Sequence, residues 1–163
     1  MPELPEVQTV VNQLKPILVN KKIHKVITYW YPVIRNIKAT NFNAYILNNI
    51  IVDVFRKAKF IAIKFKSGFL LCHLRMTGQL FVKNEPPNNL KHIHIMFKLH
   101  NTQHLIFKDV RKFGGLYFYK NLNYVNAKLG IDPFEKEFNE NKLVQIFKSR
   151  NRQVKALILD QSI

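Results

Sequence analysis

The stretch KFIAIKFKSGFLLCHLRMTG, residues 59–78, decides the fold of this chain. Residues 61–66 alternate larger apolar side chains with alanine and lysine, a Ser-Gly pair follows, and the second half is again apolar. An alternation with a period of two is typical of a strand, and Ser-Gly pairs are typical of turns. The stretch therefore predicts two short strands separated by a turn.

Other parts of the chain repeat this strand pattern. They are rich in β-branched and aromatic residues and are separated by turn-like stretches. The segments are KKIHKVITYW (21–30), NIIVDVF (49–55), HIHIMFKL (92–99), HLIFKDV (104–110) and GLYFYK (115–120). Such a series predicts a mainly β fold with flanking helices, in which two antiparallel sheets form a sandwich; a barrel is the alternative.

A helix is predicted before the strands, over residues 5–18, PEVQTVVNQLKPIL. Pro5 suits the first helical position, where its missing N–H would have no partner anyway. Pro16 is expected to kink or end the helix near its last turn. The apolar residues at helical spacing are Val7, Val10, Val11, Leu14 and Leu18.

The pattern changes again from Gly130 onward. LGIDPF (129–134) indicates a turn or linker, and NENKLVQIFKSR (139–150) predicts a helix capped by Asn139. A second helical stretch, QVKALILDQSI (153–163), follows. We therefore expect two domains, a β-sandwich at 1–130 and a linker with the first helices of an incomplete helical domain at 131–163.

Composition narrows the class of protein. Lys and Arg number 26 against 10 Asp and Glu, which gives a formal net charge of +16. A domain this basic concentrates phosphates around itself, so nucleic acid is the leading partner, with an anionic membrane surface or a ribosomal partner as alternatives. Cys72 is the only cysteine, which excludes an internal disulfide. No membrane span or signal segment is evident, and we expect a cytoplasmic, non-secreted protein.

The first residues, MPELPEV (1–7), suggest a chemistry of their own. Removal of the initiator methionine would leave Pro2 with a free secondary amine, whose protonation the helix dipole opposes. Condensation of such an amine with a carbonyl carbon gives a cationic iminium, an electron sink suited to β-elimination. Glu3 and Glu6 lie beside it as candidate proton shuttles. The alternative is an ordinary helix start with proline and acidic residues.

Seven motifs along the chain resemble those of the formamidopyrimidine-DNA glycosylases, repair enzymes for oxidised purines. They occur in the family's order and span the whole chain. They are MPELPEV (1–7), RKAKF (56–60), HLRMTG (73–78), KHIH (91–94), DVRKFGG (109–115), LGIDP (129–133) and VKALILDQ (154–161). Leu4, where the related endonuclease VIII branch usually has glycine, favours the purine-directed branch.

The resemblance implies catalytic roles at four positions. Pro2 would attack C1′ of the damaged nucleotide and form a Schiff base, and Glu3 would protonate the ring oxygen of the sugar. Lys59 would assist β-elimination or hold the phosphate beside the lesion. Glu6 is a secondary candidate. The implied activity is that of a bifunctional DNA glycosylase and abasic-site lyase acting on 8-oxoguanine and formamidopyrimidines.

The resemblance also implies DNA-binding roles. Met76 would enter the gap left by the flipped nucleotide, with Arg111 and Phe113 as its partners, which suits an adaptable side chain, a planar donor group and a flat ring. The implied phosphate contacts are His92 and Arg150, and Lys155 is placed near the lesion. His92 and His94 share one strand face, but two histidines without a third ligand do not favour a metal site.

The chain departs from the family pattern at Arg75, which replaces the usual glycine, and at Val110 and Lys112, which replace proline and arginine. The family's second half, with its base-closing loop and four-cysteine zinc finger, is absent, so we expect no cofactor in this chain. Abasic-site cleavage is then expected to be more robust than base excision. A monomer acting on damaged double-stranded DNA at the nucleoid is implied; a catalytically weak DNA-binding remnant and an RNA-associated protein are the alternatives.

Overall fold

The structure is a computed structural model that describes residues 2–134, 138–160 and 162. By their contacts these residues form two compact units, one up to Lys120 and one from Asn121 onward. The boundary lies before the third helix, whereas the sequence placed it after residue 130. A division of roles between residues 1–130 and 131–163 stays a prediction.

The first helix, α1, spans Leu4–Leu18, as the apolar spacing predicted. Its buried face consists of Val7, Val11, Leu14 and Leu18. Pro16 lies inside the helix, and the last turn continues to Leu18 despite the missing N–H. Glu3 is the N-cap residue, with extended backbone angles (φ −91°, ψ −178°).

Eight strands follow, with a short helix, α2 (Ala39–Ile46), between the first two. The strands are β1 (Ile23–Thr28), β2 (Ile51–Lys57), β3 (Phe60–Phe65), β4 (Gly68–His73), β5 (Gly78–Lys83), β6 (Ile93–Leu99), β7 (His104–Asp109) and β8 (Gly115–Tyr119). They form two four-stranded sheets, β1-β6-β7-β5 and β2-β3-β4-β8, and every pairing between these strands is antiparallel. The predicted sandwich is confirmed.

One hydrophobic core joins α1 to both sheets. Ile51 and Ile63 of one sheet and Phe97 and Phe107 of the other belong to the same buried cluster as Leu14 of α1. The alternation read at residues 61–66 is that of β3, whose apolar side chains at 61, 63 and 65 are all buried. The burial of these apolar faces is the main stabilising contribution to the fold.

Two features differ from the sequence-based expectations. Strand β5 was not predicted, and the segment between β1 and β2 contains α2 and a 3₁₀ turn at Tyr31–Val33. The second unit contains α3 (Asn123–Lys128), α4 (Glu140–Lys148) and α5 (Val154–Ile158). The predicted cap of α4 is confirmed, since the Asn139 side chain accepts a hydrogen bond from the backbone N–H of Lys142 (3.0 Å). Across the described residues, no helix is both long and apolar enough to traverse a lipid bilayer.

Candidate functional site

The start of α1 brings together two acidic side chains and a lysine. Pro2 directly precedes the N-cap residue Glu3, whose backbone N–H donates a hydrogen bond to the Glu6 carboxylate. The Glu3 carboxylate lies 2.6 Å from the Lys59 ammonium. The structure therefore places three of the predicted catalytic residues, Pro2, Glu3 and Lys59, in one neighbourhood, with Glu6 alongside.

Lys59 reaches this position from the turn between β2 and β3. The turn consists of Ala58 and Lys59, and Ala58 adopts a left-handed backbone with φ 48°. The Lys59 side chain is only 15% exposed, whereas that of Glu3 is 57% exposed. The Lys59 ammonium is therefore largely shielded from solvent, whereas the Glu3 carboxylate that it contacts remains accessible.

Arg56, for which no role was predicted from the sequence, connects this turn to α1. Its Nε donates to the Gln8 side chain of α1 (3.2 Å), and its Nη1 donates to the carbonyl oxygen of Ala58 (3.1 Å). These two contacts fix the turn that carries Lys59 relative to the helix that carries Glu3. The sequence did contain a signal for Arg56, because it is the first residue of the RKAKF segment (56–60) that resembles the family motif.

A second cluster is built by the two loops that cross between the sheets after β4 and after β7. His73 at the end of β4 pairs with Gly115 at the start of β8. Gly78 at the start of β5 pairs with Asp109 at the end of β7. The residue before each loop is therefore paired with the residue after the other loop. The β4–β5 loop consequently lies beside the β7–β8 loop.

These neighbouring loops bring Met76, Arg111 and Phe113 into contact, as the resemblance implied. Nη1 of Arg111 lies 3.1 Å from the Met76 sulfur, and its guanidinium lies 4.7 Å from the centre of the Phe113 ring. Met76 and Phe113 are 54% and 53% exposed. This exposure shows that they are not core residues. We call the three residues the wedge.

The backbone of both wedge loops is tightly constrained. Arg75 and Lys112 have φ angles of 54° and 60°, in the left-handed region that glycine adopts most easily. Arg75 therefore retains a glycine-type backbone at the position where the family usually has glycine. At Gly114, a Cβ atom would lie 2.8 Å from the carbonyl oxygen of His73, so a side chain there would disrupt the close approach of the two loops.

His73 lies at the base of the β4–β5 loop and is neutral near pH 7. Burial, together with the positive charges of Arg75 and Lys59, lowers the pKa of His73 to about 4. Its Nδ1 accepts a hydrogen bond from the backbone N–H of Arg75 (3.1 Å), so in the neutral ring the proton is on Nε2. The ring also packs edge-on against Phe60, with centroids 4.8 Å apart.

The two histidines of the KHIH segment, His92 and His94, have separate environments. His94 is buried and its Nε2 lies 2.7 Å from the carbonyl oxygen of Asp109, to which it donates. Burial lowers the pKa of His94, although the hydrogen bond to Asp109 opposes this shift. His92 is half-buried just before β6, with a φ angle of 65°. Within residues 2–134, 138–160 and 162, no cluster of three or more His, Cys, Asp or Glu side chains could hold a metal ion.

Arg150 and Lys155 belong to the second unit, and both are exposed. Arg150 follows the end of α4, and Lys155 lies in the first turn of α5. Their DNA contacts, and that of His92, stay predictions.

Comparison with known proteins agrees with this geometry. The family model for the formamidopyrimidine-DNA glycosylase N-terminal domain matches residues 1–116. The formamidopyrimidine-DNA glycosylase of Mycoplasma genitalium is 35% identical over 167 residues, which cover 100% of this chain and 59% of the relative. The chain thus spans about three fifths of the length of such relatives.

Solved structures of the same class share the fold. The Lactococcus lactis formamidopyrimidine-DNA glycosylase, non-covalently bound to DNA containing an abasic site, is 25% identical with a TM-score of 0.88. The match covers 99% of this chain and 63% of that protein. A structure of MutM in complex with DNA containing carbocyclic 8-oxo-G is 27% identical with a TM-score of 0.89, over 99% of this chain and 61% of that protein. The matched domain, the sandwich and the order of the motifs together show that this chain belongs to the formamidopyrimidine-DNA glycosylase family.

Proposed function

We propose that this chain acts in base-excision repair, as a glycosylase and abasic-site lyase on double-stranded DNA that contains oxidised purines or abasic sites. The contact between Lys59 and Glu3, at 2.6 Å beside Pro2, is the observation that carries this proposal. A nucleophile (the Pro2 amine), a carboxyl group (Glu3) and an ammonium (Lys59) then lie within one small region. Amine-based chemistry at a sugar carbon needs these three groups.

The proposed lyase reaction follows from these groups. The Pro2 nitrogen adds to the C1′ aldehyde of the ring-opened abasic sugar, and loss of water gives a cationic iminium. A base then removes a C2′ proton, and the electron pair left on C2′ expels the 3′ phosphate. Glu3 is suited to proton transfer during addition and ring opening, and Lys59 to neutralising the phosphate.

The wedge supports the same proposal. Chemistry at C1′ requires the nucleotide to leave the base stack, which costs a few kcal/mol. An exposed methionine and phenylalanine on rigid loops are suited to fill the space left in the stack. Arg111 between them can offer paired donors to the base that has lost its partner.

The charge of the chain supports DNA as the partner. A formal net charge of +16 on 163 residues favours association with phosphates and predicts binding that weakens steeply with salt. The nucleoid is then the expected location of the protein. That location, the absence of a cofactor and the monomeric state stay predictions.

Borohydride trapping tests the proposal. We expect the chain to form a covalent adduct with abasic-site DNA when borohydride is present, because reduction of the iminium makes the link permanent. Adduct formation should fall at least tenfold in Pro2→Gly and should be lost when the terminal nitrogen is acylated. Pro5→Ala, a substitution at the other proline of the same segment, is the matched control and should trap normally.

The absence of any adduct, with abasic DNA still bound, would contradict the enzymatic part of the proposal. The chain would then be a DNA-binding member of its family without the lyase step. Mass spectrometry of the adduct, which should locate the link at Pro2, checks that the amine is the intended one.

A further inference from the structure

The β7–β8 wedge loop, residues 110–114, is held in place by a buried carboxylate, that of Asp109. Asp109 is fully buried, and its Oδ2 accepts a hydrogen bond from the backbone N–H of Gly114 (2.8 Å). Its Oδ1 accepts from the backbone N–H of Arg111 (3.1 Å) and from the hydroxyl of Thr77 in the neighbouring wedge loop. One carboxylate thus ties together both loops that carry the wedge.

The same loop is held from its other side by Arg35. Its Nη2 donates to the carbonyl oxygens of Lys112 (3.1 Å) and Gly114 (2.8 Å). The Arg35 guanidinium also lies 5.7 Å from the centre of the Trp30 ring, over which the Lys112 ammonium lies at 5.2 Å. Asp109 therefore satisfies the amide groups of Arg111 and Gly114, and Arg35 satisfies the carbonyl groups of Lys112 and Gly114.

We propose that Arg35 is a positioning residue of the wedge, which fixes the 110–114 loop before DNA arrives so that Met76, Arg111 and Phe113 enter the helix already aligned. This inference rests on the proposed function. Ordering a loop of five residues during binding would cost conformational entropy, and a loop ordered beforehand avoids that cost. Arg35 itself need not touch DNA for this effect.

The planar guanidinium explains why arginine serves here. Two carbonyl oxygens at 2.8 and 3.1 Å from one nitrogen, with an aromatic ring alongside, match a flat group with several fixed donors. A lysine ammonium at the same place keeps the positive charge but lacks the flat face and the fixed donor directions of the guanidinium. Arg35→Lys therefore separates positioning from charge, since a contact to a phosphate would largely survive this change.

The first test compares the binding of abasic-site DNA and undamaged DNA. We expect Arg35→Lys and Arg35→Gln to weaken abasic-site binding about tenfold, with a much smaller effect on undamaged duplex. In an Arg111→Ala/Phe113→Ala background, which lacks the wedge side chains that the 110–114 loop carries, Arg35→Gln should cost less than twofold. Normal abasic-site binding by Arg35→Lys would overturn the proposal, as would an undiminished effect of Arg35→Gln in the Arg111→Ala/Phe113→Ala background.

The second test uses the free protein. Hydrogen exchange at the amides of Arg111 and Gly114 should accelerate at least tenfold in Arg35→Lys, while amides in β3 and β6 remain as protected as before. Trp30 is the only tryptophan, so its fluorescence reports the same loop and should become more accessible to quenchers. Unchanged exchange in the loop would overturn the proposal.

The two tests separate this inference from the proposed function. If the unmodified chain shows no preference for abasic DNA and forms no borohydride adduct, the proposed function fails, and the exchange data still decide whether Arg35 orders the loop. Arg35 is exposed, so its variants are expected to fold, and thermal unfolding within a few degrees of the unmodified chain is the check.

Discussion

At position 75 an arginine adopts a backbone conformation that glycine adopts more easily. With φ at 54°, an L-residue other than glycine or asparagine is strained by about 1 kcal/mol. We therefore expect Arg75→Gly to raise the free energy of unfolding by up to about 1 kcal/mol, less the entropy that glycine adds to the unfolded chain. Urea unfolding measures this change.

The same substitution should weaken DNA binding, because it removes an exposed cation next to Met76. We expect the slope of log K against log salt to fall by about 1 in Arg75→Gly. Arg75→Ala is the matched variant, since it removes the charge but keeps a Cβ in the left-handed region. Equal stability of the glycine and alanine variants would show that the strain at this position is no larger than the cost of the entropy that glycine adds to the unfolded chain.

At the scale of a single element, the β2–β3 turn delivers Lys59 to the start of α1, and Arg56 holds that turn in place. Arg56→Lys cannot bridge Gln8 and the Ala58 carbonyl with one planar group. We expect the rate of borohydride adduct formation to fall about tenfold, because small displacements of reacting groups have large effects on rate. Arg152→Lys, an exchange of the same type in the second unit, should leave the rate unchanged.

A double substitution locates the effect of Arg56. If Arg56 acts through the position of Lys59, then Arg56→Lys should make little further difference once Lys59→Ala is present. A full tenfold loss in that background would indicate a separate role for Arg56, such as a direct DNA contact. Thermal unfolding of each variant checks that the hairpin itself remains folded.

The elements differ in how far the sequence could predict them. In β3 the large apolar residues recur at every second position, 61, 63 and 65, so the period of two identified the strand, and the spacing of Val7, Val11 and Leu14 identified α1. Strand β5 was missed because it begins at a turn glycine directly after the β4–β5 loop, and it pairs only with β7, which is distant in sequence. Local patterns carry no signal for such a pairing.

The candidate site shows the same division. Motifs could nominate the wedge residues and Lys59, because each lies in a recognisable segment. Motifs could not reveal that Asp109 and Arg35 hold the wedge loop in place. Those roles depend on loops that are brought together by the pairing of β4 with β8 in one sheet and of β5 with β7 in the other. Arg35 and the carbonyl group of Gly114 are 79 residues apart in the chain.

At the scale of the whole molecule, the wedge loops are two of the three connections that cross between the sheets, so their geometry depends on the sandwich staying closed. The sandwich buries three histidines whose pKa values are lowered, mainly by burial: His73, His94 and His104. The unfolded chain takes up protons on these rings near pH 6.5, whereas folded His73 does so near pH 4. Between these values the unfolded state binds more protons.

The stability contributed by a neutral His73 is therefore complete above pH 6.5 and is lost as the pH falls towards 4. From pH 7 to pH 5 we expect His73 alone to lower the free energy of unfolding by about 2 kcal/mol. Repulsion among the surface cations also grows on acidification, but added salt screens that repulsion and has much less influence on buried rings. Urea unfolding at both pH values, in low and in high salt, separates the two causes.

The substitution His73→Asn makes this prediction specific. Its Oδ1 can accept the hydrogen bond that Nδ1 accepts from the backbone N–H of Arg75, but the side chain does not titrate. We expect the variant to lose about 2 kcal/mol less stability than the unmodified chain between pH 7 and pH 5, in high salt as in low salt. His100→Asn, at an exposed position, is the control for removing a histidine. If His73→Asn and the unmodified chain lose stability equally, the acid sensitivity of the sandwich comes from surface charge or from the other buried histidines, and His73 at the base of the wedge loop contributes nothing to it.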